Sequence, residues 1–369
     1  MSEWKIPLSD LDYGFEEQAA VARVLQSKWL TMGEEVERFE KEFAEHLGVS
    51  HAVAVASGSA ALHLALQALG IGPGDEIIQP AINFVAAANM TVALGAAPLF
   101  AELVDLKEPT LDPRDLERLV TPHTKAVAVM HYGGYLCRMA EIKEICRTRG
   151  IAIVEDACHA VGAQMVGNMS DIACFSFFSN KNLAVGEGGM VTTNSDELAQ
   201  KVRLLRSHGM TTLTWDRFRG HASTYDVAMH GYNYRLDEMR AALGRVQLAK
   251  LDKGNARRKK LVELYRQKLS GLTGWIIPFN GYTGGSAYHL MVALAPDESE
   301  RSRVLTALTN ARIQFSLHYP CIPDFTAFKA FRQGSLQKSR AFAKRAITLP
   351  LYPGMSEEQV EEICAVLAK

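Results

Sequence analysis

Lys181 is the side chain in this sequence best placed by its neighbours to act as a nucleophile. It ends the segment Phe175-Ser-Phe-Phe-Ser-Asn-Lys181, a tight polar turn with aromatic residues beside it, just past an apolar run. Such surroundings lower the pKa of an amine, and an uncharged amine can attack a carbonyl group. Most lysines in loops are ordinary surface residues, so Lys181 alone does not establish a site.

A carboxylate closes another apolar run. Asp156 directly follows Ile151-Ala-Ile-Val-Glu155, a predicted buried strand, and a buried charge is costly unless it has a cationic or hydrogen-bonding partner. A protonated ring nitrogen, a metal ion or an internal arginine could be that partner. An aspartate that only caps the following turn is the common alternative. Taken alone, Asp156 favours that alternative.

The residues Ser57-Gly58-Ser59 could bind an anion. They follow the predicted strand Val53–Ala56 and come immediately before a predicted helix. Backbone N–H groups at a helix start lack helical partners, and the helix dipole adds partial positive charge, so a phosphate can bind there. A serine cap followed by a glycine for close packing explains the same residues about equally well.

The order of these features is more specific than any one of them. Each lies where a predicted strand ends, and parallel strands bring their carboxyl ends to one edge of a sheet, where ligands bind. Along the chain come an anion-binding turn, an aromatic residue, a strand-end aspartate and then Ser176 five residues before Lys181. The spacing predicts that these groups converge on one site.

The elements that must position the site alternate over the first two thirds of the chain. Helices are predicted between most of the strands, for example over Met139–Thr148 and Glu197–Arg206. This alternation predicts an α/β fold with a mostly parallel sheet covered on both faces. The predicted strands are Val53–Ala56, Glu76–Gln79, Ala97–Glu102, Ala126–Met130, Ile151–Glu155, Ala173–Phe178 and Met190–Thr193.

The pattern changes after Tyr234. A long helix is predicted from Leu236 to about Leu272, with a kink near Gly254 as an option. A shorter α+β segment follows. Its predicted strands are Tyr288–Leu294 and Arg312–Ser316, its predicted helices Glu300–Asn310 and Glu357–Leu367, and the two domains are expected over residues 1–250 and 251–369.

Composition excludes several classes of partner. Lysine and arginine number 40 and aspartate and glutamate 41, for a formal net charge of −1. This balance provides no broad positive surface for nucleic acid or an anionic membrane, so neither is expected as a partner. The 11 histidines are scattered without the spacing of ligands, and no metal site is expected.

The cysteines and the apolar stretches indicate a compartment. The 6 cysteines form no C-x-x-C pair, which in a chain of this size is typical of free thiols in a reducing environment. The first residues lack the basic flank and apolar run of a signal peptide, and no apolar stretch is long enough to span a bilayer. We therefore expect a soluble cytoplasmic protein.

The sequence resembles the nucleotide-sugar aminotransferases of the DegT/StrS type, which have the aspartate-aminotransferase fold, fold type I of the pyridoxal-phosphate enzymes. The resemblance covers nearly the whole chain and implies a large domain with a mostly parallel seven-stranded sheet and a smaller C-terminal α+β domain. It is carried by Trp29-Leu-Thr-Met-Gly33, Ala56-Ser-Gly-Ser-Ala-Ala-Leu62, Pro80-Ala-Ile-Asn-Phe84, Glu155-Asp-Ala-Cys-His159, Ser176-Phe-Phe-Ser-Asn-Lys181, Gly186-Glu-Gly-Gly189, Gly231-Tyr-Asn-Tyr-Arg235 and His318-Tyr-Pro320.

The resemblance implies pyridoxal 5'-phosphate as the cofactor and assigns roles to residues. Lys181 would hold it as a Schiff base and, once released, act as general base and acid, while Asp156 keeps the ring nitrogen protonated. Other implied contacts are Gly58, Ser59 and Ser176 with the phosphate, Phe84 stacked on the ring, His159 near the ring hydroxyl, and Asn233 reaching the phosphate from the neighbouring subunit. Phe84 as a core aromatic and His159 as a helix-surface residue stay open as alternatives.

The resemblance also implies partners. The amino donor is usually glutamate and the acceptor a keto sugar attached to a nucleotide, and the protein would be a homodimer with shared active sites. Acceptor contacts are expected from Thr31, His318 and Tyr319. Some relatives carry histidine in place of the lysine and act as dehydratases, and Lys181 argues against that branch. Two alternative functions stay open: the same reaction on another ketone, such as an amino cyclitol precursor, or a non-catalytic regulatory role.

Overall fold

The computed structural model describes residues 4–212, 215, 218–220 and 224–369. Two helices, α1 (Phe15–Ser27) and α2 (Glu34–Leu47), precede the first strand. The elements that follow are β1 (His51–Val55), α3 (Gly58–Ala68), β2 (Glu76–Pro80), α4 (Ala86–Ala93), β3 (Ala97–Ala101), α5 (Pro113–Leu119), β4 (Thr124–Met130), α6 (Met139–Arg149), β5 (Ala152–Asp156), β6 (Ile172–Ser176), β7 (Gly189–Thr193) and α7 (Asp196–Arg206).

The strands β1 to β7 form one sheet in the order β1-β7-β6-β5-β4-β2-β3. Strands β3, β2, β4, β5 and β6 are paired in parallel, and β7 runs antiparallel to both of its neighbours. Each of the seven strands predicted for this sheet is confirmed to within two residues at either end. The predicted fold class, a mostly parallel seven-stranded sheet with helices, is therefore confirmed.

Both faces of the sheet are buried because side chains alternate along each strand. In β6, Ile172 and Cys174 join the apolar cluster that packs against α3, whereas Ala173 and Phe175 join the cluster on the other face. On that second face the Phe175 ring lies 5.2 Å from the ring of Phe43 in α2. The near-continuous apolar runs of these strands are what burial on two faces requires.

The C-terminal part begins with the long helix α8 (Glu238–Leu269), which is capped by Asp237 and continues unbroken through Gly254. It contributes Leu251 to the core beside the large sheet and Leu261 to the core around the last strands. A domain boundary near residue 250 stays a prediction. The remaining elements are β8 (Met291–Leu294), α9 (Glu298–Asn310), α10 (Gln337–Arg345), β9 (Ala346–Leu349) and α11 (Glu357–Ala368), with β8 and β9 in an antiparallel pair.

The predicted strand over Arg312–Ser316 is wrong. Within it, Ile313 forms an isolated bridge to Ile6, and Ser316 forms one to Thr348. Arg312 has a φ of 57°, in the left-handed region that an extended strand does not use. Of this segment only Ile313 is fully buried, and its two isolated bridges go to different parts of the chain, so they do not make a strand.

The described part of the chain contains no helix that is both long enough and apolar enough to cross a membrane. No group of three or more histidine, cysteine, aspartate or glutamate side chains among the described residues could hold a metal ion. All six cysteines are free thiols.

Candidate active site

A cavity of about 380 Å³ lies at the edge of the sheet where β1, β5 and β6 end. Residues from six separate parts of the sequence line it, so only the fold brings them together. Of the residues predicted from the sequence, those lining the cavity are Gly58, Ser59, Phe84, Asp156, His159, Ser176, Lys181, His318 and Tyr319.

One end of the cavity is the start of α3. Ser57 caps this helix by accepting a hydrogen bond from the Ala60 N–H, and the N–H groups of Gly58 and Ser59 lie in the first turn, where no helical acceptor is available. A Cβ atom on Gly58 would lie 2.7 Å from Cβ of Ser176. Glycine is therefore required, and it leaves backbone donors and the Ser176 hydroxyl next to each other, as a phosphate needs.

The carboxylate of Asp156 lies at the end of β5 and is only 4% exposed. Its Oδ2 accepts a hydrogen bond from Asn83 at 3.1 Å and its Oδ1 one from the Cys158 N–H at 3.3 Å. Both donors are uncharged, and among the described residues no lysine, arginine or histidine forms an ion pair with Asp156. Asp156 acts on the Lys181 charge only from beyond ion-pair distance, so this buried carboxylate suits a ligand that brings a positive charge, such as a protonated ring nitrogen.

The turn that carries Lys181 is fixed by its neighbour. The Asn182 Nδ2 donates to Asn255 Oδ1 at 2.8 Å and to the Ala287 carbonyl at 2.7 Å, and its Oδ1 bonds to the His289 ring. These bonds tie the turn to α8 and to the C-terminal part. Burial lowers the pKa of the Lys181 amine, and the nearby Cys158 and Asp156 only partly oppose this. A larger fraction of the amine is uncharged than in an exposed lysine.

Three histidines surround the lysine. His159 is 4% exposed and bonds to the hydroxyl of Tyr319 at 2.9 Å, and its ring lies 4.5 Å from that of His289. His318 bonds to Thr348 Oγ1 at 2.9 Å. Burial and the Lys181 charge lower the pKa of all three, that of His318 to about 4. They are neutral near pH 7, and the alternative of His159 as a helix-surface residue is excluded.

Phe84 is not a core residue, because it is 57% exposed and lines the cavity. Its ring lies 6.2 Å from that of Tyr319. The alternative of a core aromatic is therefore wrong. An exposed ring on a cavity wall presents a face on which a flat ligand can stack.

Two predicted residues lie outside the cavity. Thr31 and Asn233 are both exposed, and neither lines the cavity of its own chain. The backbone of Asn233 pairs with Ser207. Their roles in binding the acceptor and a neighbouring subunit's phosphate stay predictions.

Sequence reasoning missed Asn83, Asn182 and His289. Asn83 lies inside the segment Pro80–Phe84 and Asn182 directly follows the lysine, so both had a positional signal. His289 had none, because only folding brings it next to His159.

The fold and the site define a pyridoxal-phosphate enzyme of fold type I. The N–H groups at the helix start of Gly58, the carboxylate of Asp156 and the amine of Lys181 share one cavity, and they fit the phosphate, the ring nitrogen and the aldehyde of this cofactor. These residues would hold it.

Comparisons with known proteins agree. The model of the DegT/DnrJ/EryC1/StrS aminotransferase family matches residues 12–368. The chain is 40% identical over 363 residues to the spore coat polysaccharide biosynthesis protein SpsC of Bacillus subtilis (strain 168), covering 95% of this chain and 93% of that protein. This chain therefore belongs to the DegT/DnrJ/EryC1/StrS aminotransferase family.

Solved structures show the same relationship. DesV from S. venezuelae has a TM-score of 0.90 at 34% identity, covering 99% of this chain and 98% of that chain. Helicobacter pylori PseC, an aminotransferase involved in the biosynthesis of pseudoaminic acid, has a TM-score of 0.91 at 29% identity, covering 100% and 98%. The protein is a pyridoxal-phosphate-dependent aminotransferase in a family of sugar aminotransferases, which confirms the predicted family, enzyme class and cofactor.

Proposed function

We propose that this protein moves an amino group from glutamate to a keto sugar linked to a nucleotide, with Lys181 as the residue that attaches the cofactor. The observation that carries the proposal is the shared cavity of Lys181, Asp156 and the helix start at Gly58. The names of two relatives support a sugar as the acceptor: SpsC is named for the biosynthesis of a polysaccharide, and PseC is described as taking part in the biosynthesis of pseudoaminic acid.

Each residue has a distinct task in this reaction. When bound, pyridoxal phosphate supplies an aldehyde that links to the amino group and a ring that delocalises an electron pair. Lys181 moves a proton between the substrate carbon that bears the amino group and the aldehyde carbon of the cofactor, and its lowered pKa suits it as a base. Asp156 holds a proton on the ring nitrogen by charge attraction. The Gly58 and Ser59 N–H groups with Ser176 hold the phosphate.

We also propose a homodimer with shared active sites. Thr31 and Asn233 lie outside the cavity of their own chain and are exposed, so a second copy is the arrangement in which Asn233 reaches a phosphate and Thr31 an acceptor.

We also propose that the protein acts in the cytoplasm. Its six free thiols are compatible with that reducing compartment.

The test combines cofactor trapping with an acceptor screen. Borohydride reduction followed by peptide mass analysis should find the cofactor on Lys181, and glutamate should convert the bound cofactor to its amine form. The enzyme with its cofactor in the amine form is then mixed with keto sugars that do or do not carry a nucleoside diphosphate. Turnover only with sugars or cyclitols that lack the nucleotide would contradict the proposed acceptor, and label on another lysine would contradict the proposed site.

The dimer needs its own measurement. Mixing a Lys181→Ala chain with an Asn233→Ala chain should restore activity if the sites are shared, because a mixed dimer contains one site with both residues intact. Each variant alone serves as the control. Mixtures that are no more active than their separate components, although mass measurement shows mixed dimers, would contradict shared sites.

A further inference from the structure

His159 and Tyr319 form a hydrogen bond whose direction can be determined from a third group. The His159 Nε2 lies 2.9 Å from the Tyr319 hydroxyl oxygen. Either atom could donate if this pair were considered alone, since a neutral imidazole carries its proton on one nitrogen or on the other. The contact at the opposite nitrogen therefore decides.

The Gly133 N–H points at Nδ1 of His159, 3.4 Å away. A backbone N–H can only donate, so Nδ1 must be the unprotonated nitrogen. In a neutral ring the single proton is then on Nε2, and the ring donates to the Tyr319 oxygen. The tyrosine proton is left to point elsewhere.

The ring stays neutral because of its surroundings. Burial lowers the pKa of His159 well below its ordinary value, and the Lys181 amine with His289 and His318 adds to this. Burial also raises the pKa of Tyr319 well above its ordinary range, so the phenol keeps its proton. Both conditions needed for a fixed direction are met.

We propose that Tyr319 is a permanent hydrogen-bond donor to an acceptor oxygen of the ligand in the cavity, and that His159 is the positioning residue that sets this direction. The inference rests on the proposed function for the nature of the ligand. Tyr319 lines the cavity together with Lys181 and Phe84. A ligand bound in this cavity is therefore within reach of the Tyr319 hydroxyl proton.

Two ligands could supply the oxygen, namely the ring oxygen of the cofactor or the keto or hydroxyl oxygen of the sugar. The chemistry is the same in both, an oxygen that carries partial or full negative charge. A donor fixed in advance stabilises such charge without reorganising at the moment of reaction. The two sources differ in which ligand loses affinity when the phenol hydroxyl is removed.

The first measurement needs neither activity nor cofactor. Nitrogen NMR of protein labelled with ¹⁵N-histidine reports which ring nitrogen carries the proton, and the His159→Gln variant assigns the signal. The expected result is a neutral ring with the proton on Nε2. A proton on Nδ1, or a doubly protonated ring near pH 7, would overturn the proposal even if the protein is an active aminotransferase.

The second measurement separates the two ligands. For Tyr319→Phe we expect a loss of roughly 10- to 100-fold, the effect of a hydrogen bond to a charged group. If the cofactor is the partner, its affinity and the pH titration of its absorbance shift without substrate. If the sugar is the partner, kcat/KM for the acceptor falls while cofactor binding is unchanged. If the Tyr319→Phe variant changed neither cofactor binding nor kcat/KM for the acceptor, the proposal would be overturned.

Variants at position 159 test the positioning role. Glutamine can still donate to Tyr319, so His159→Gln should stay within about 10-fold of the native protein. Leucine cannot donate, so His159→Leu should approach the loss seen for Tyr319→Phe. Tyr265→Phe is the control, because the hydroxyl of Tyr265 bonds to the Pro350 carbonyl in the core and not in the cavity. A His159→Leu protein that behaves as native would remove His159 from the proposal.

Discussion

Asn83 and Asp156 are joined by a hydrogen bond of 3.1 Å, from the Asn83 Nδ2 to the Asp156 Oδ2. Both side chains are buried. The Cys158 N–H bonds to the other carboxylate oxygen, so the plane of the carboxylate is determined from both sides. A carboxylate that must face a ring nitrogen needs this orientation because its attraction for the proton depends on distance and direction.

Asn83→Ala should lower kcat by about 10-fold, the cost of one hydrogen bond to a charged group. Absorbance and steady-state kinetics of the loaded enzyme measure this. Asn168→Ala is the control, because Asn168 bonds to the Leu47 carbonyl away from the cavity. Equal kcat in both variants would show that Asn83 does not orient the aspartate.

Asp156→Asn keeps the shape of the side chain and removes its charge. We expect kcat to fall roughly 10²- to 10³-fold, as when one preorganised electrostatic contact is lost. Asp171→Asn is the matched control, because Asp171 bonds to the Ile153 N–H near the other end of β5. If the Asp156→Asn enzyme kept the kcat of the native protein, Asp156 would be excluded as the partner of the ring nitrogen.

Lys181→Ala should lose transamination by at least about 10²- to 10⁴-fold, because it removes the general base. Borohydride should then fix no cofactor to the chain. Lys143→Ala changes an exposed lysine and should retain both properties. Substantial turnover by the Lys181→Ala protein would contradict the assignment.

Gly58→Ala should weaken cofactor binding by at least about 10-fold, because the added Cβ would overlap Ser176 and displace a phosphate donor. Equilibrium titration of the cofactor-free protein measures the affinity. Gly72→Ala is the control, since a Cβ there meets nothing within 4 Å. Equal affinities for the two variants would mean that the helix start does not hold the phosphate.

The folded protein should lose stability in mild acid. The pKa of His318 is lowered from 6.5 to about 4 by burial and by the Lys181 charge. Between these values the unfolded chain binds the proton and the folded protein does not, so the free energy of unfolding falls as the pH drops, by up to about 1.4 kcal/mol per pH unit for one group.

Urea titrations of the cofactor-free protein at several pH values test this. His318→Gln should have a shallower loss of stability in acid than the native protein, while His123→Gln, at an exposed histidine, should follow the native curve. Parallel curves for the native and His318→Gln proteins would contradict the lowered pKa.

The local pattern of apolar and polar residues was enough to predict the large sheet and several polar residues of the site. The strands of the large sheet were predictable because each is a short apolar run with polar residues or glycine at its ends. Once the strands are parallel, Asp156, Ser176 and the turn at Gly58 must lie at one edge. The orientation of β7 and the single-residue bridges of Ile313 and Ser316 depend on partners far along the chain, so local pattern could not determine them.

The sequence by itself determined the strands of the large sheet, the family, and the positions of the lysine, the aspartate and the turn at Gly58, because these follow from residue type and local spacing. Only the tertiary structure decided that Asn83 aims Asp156, that His289 and Asn182 support Lys181, and that His159 orients Tyr319. The reason is physical. A hydrogen bond needs a donor and an acceptor within about 3 Å, and these pairs lie 73, 107 and 160 residues apart in the chain, so they come that close only in the folded protein.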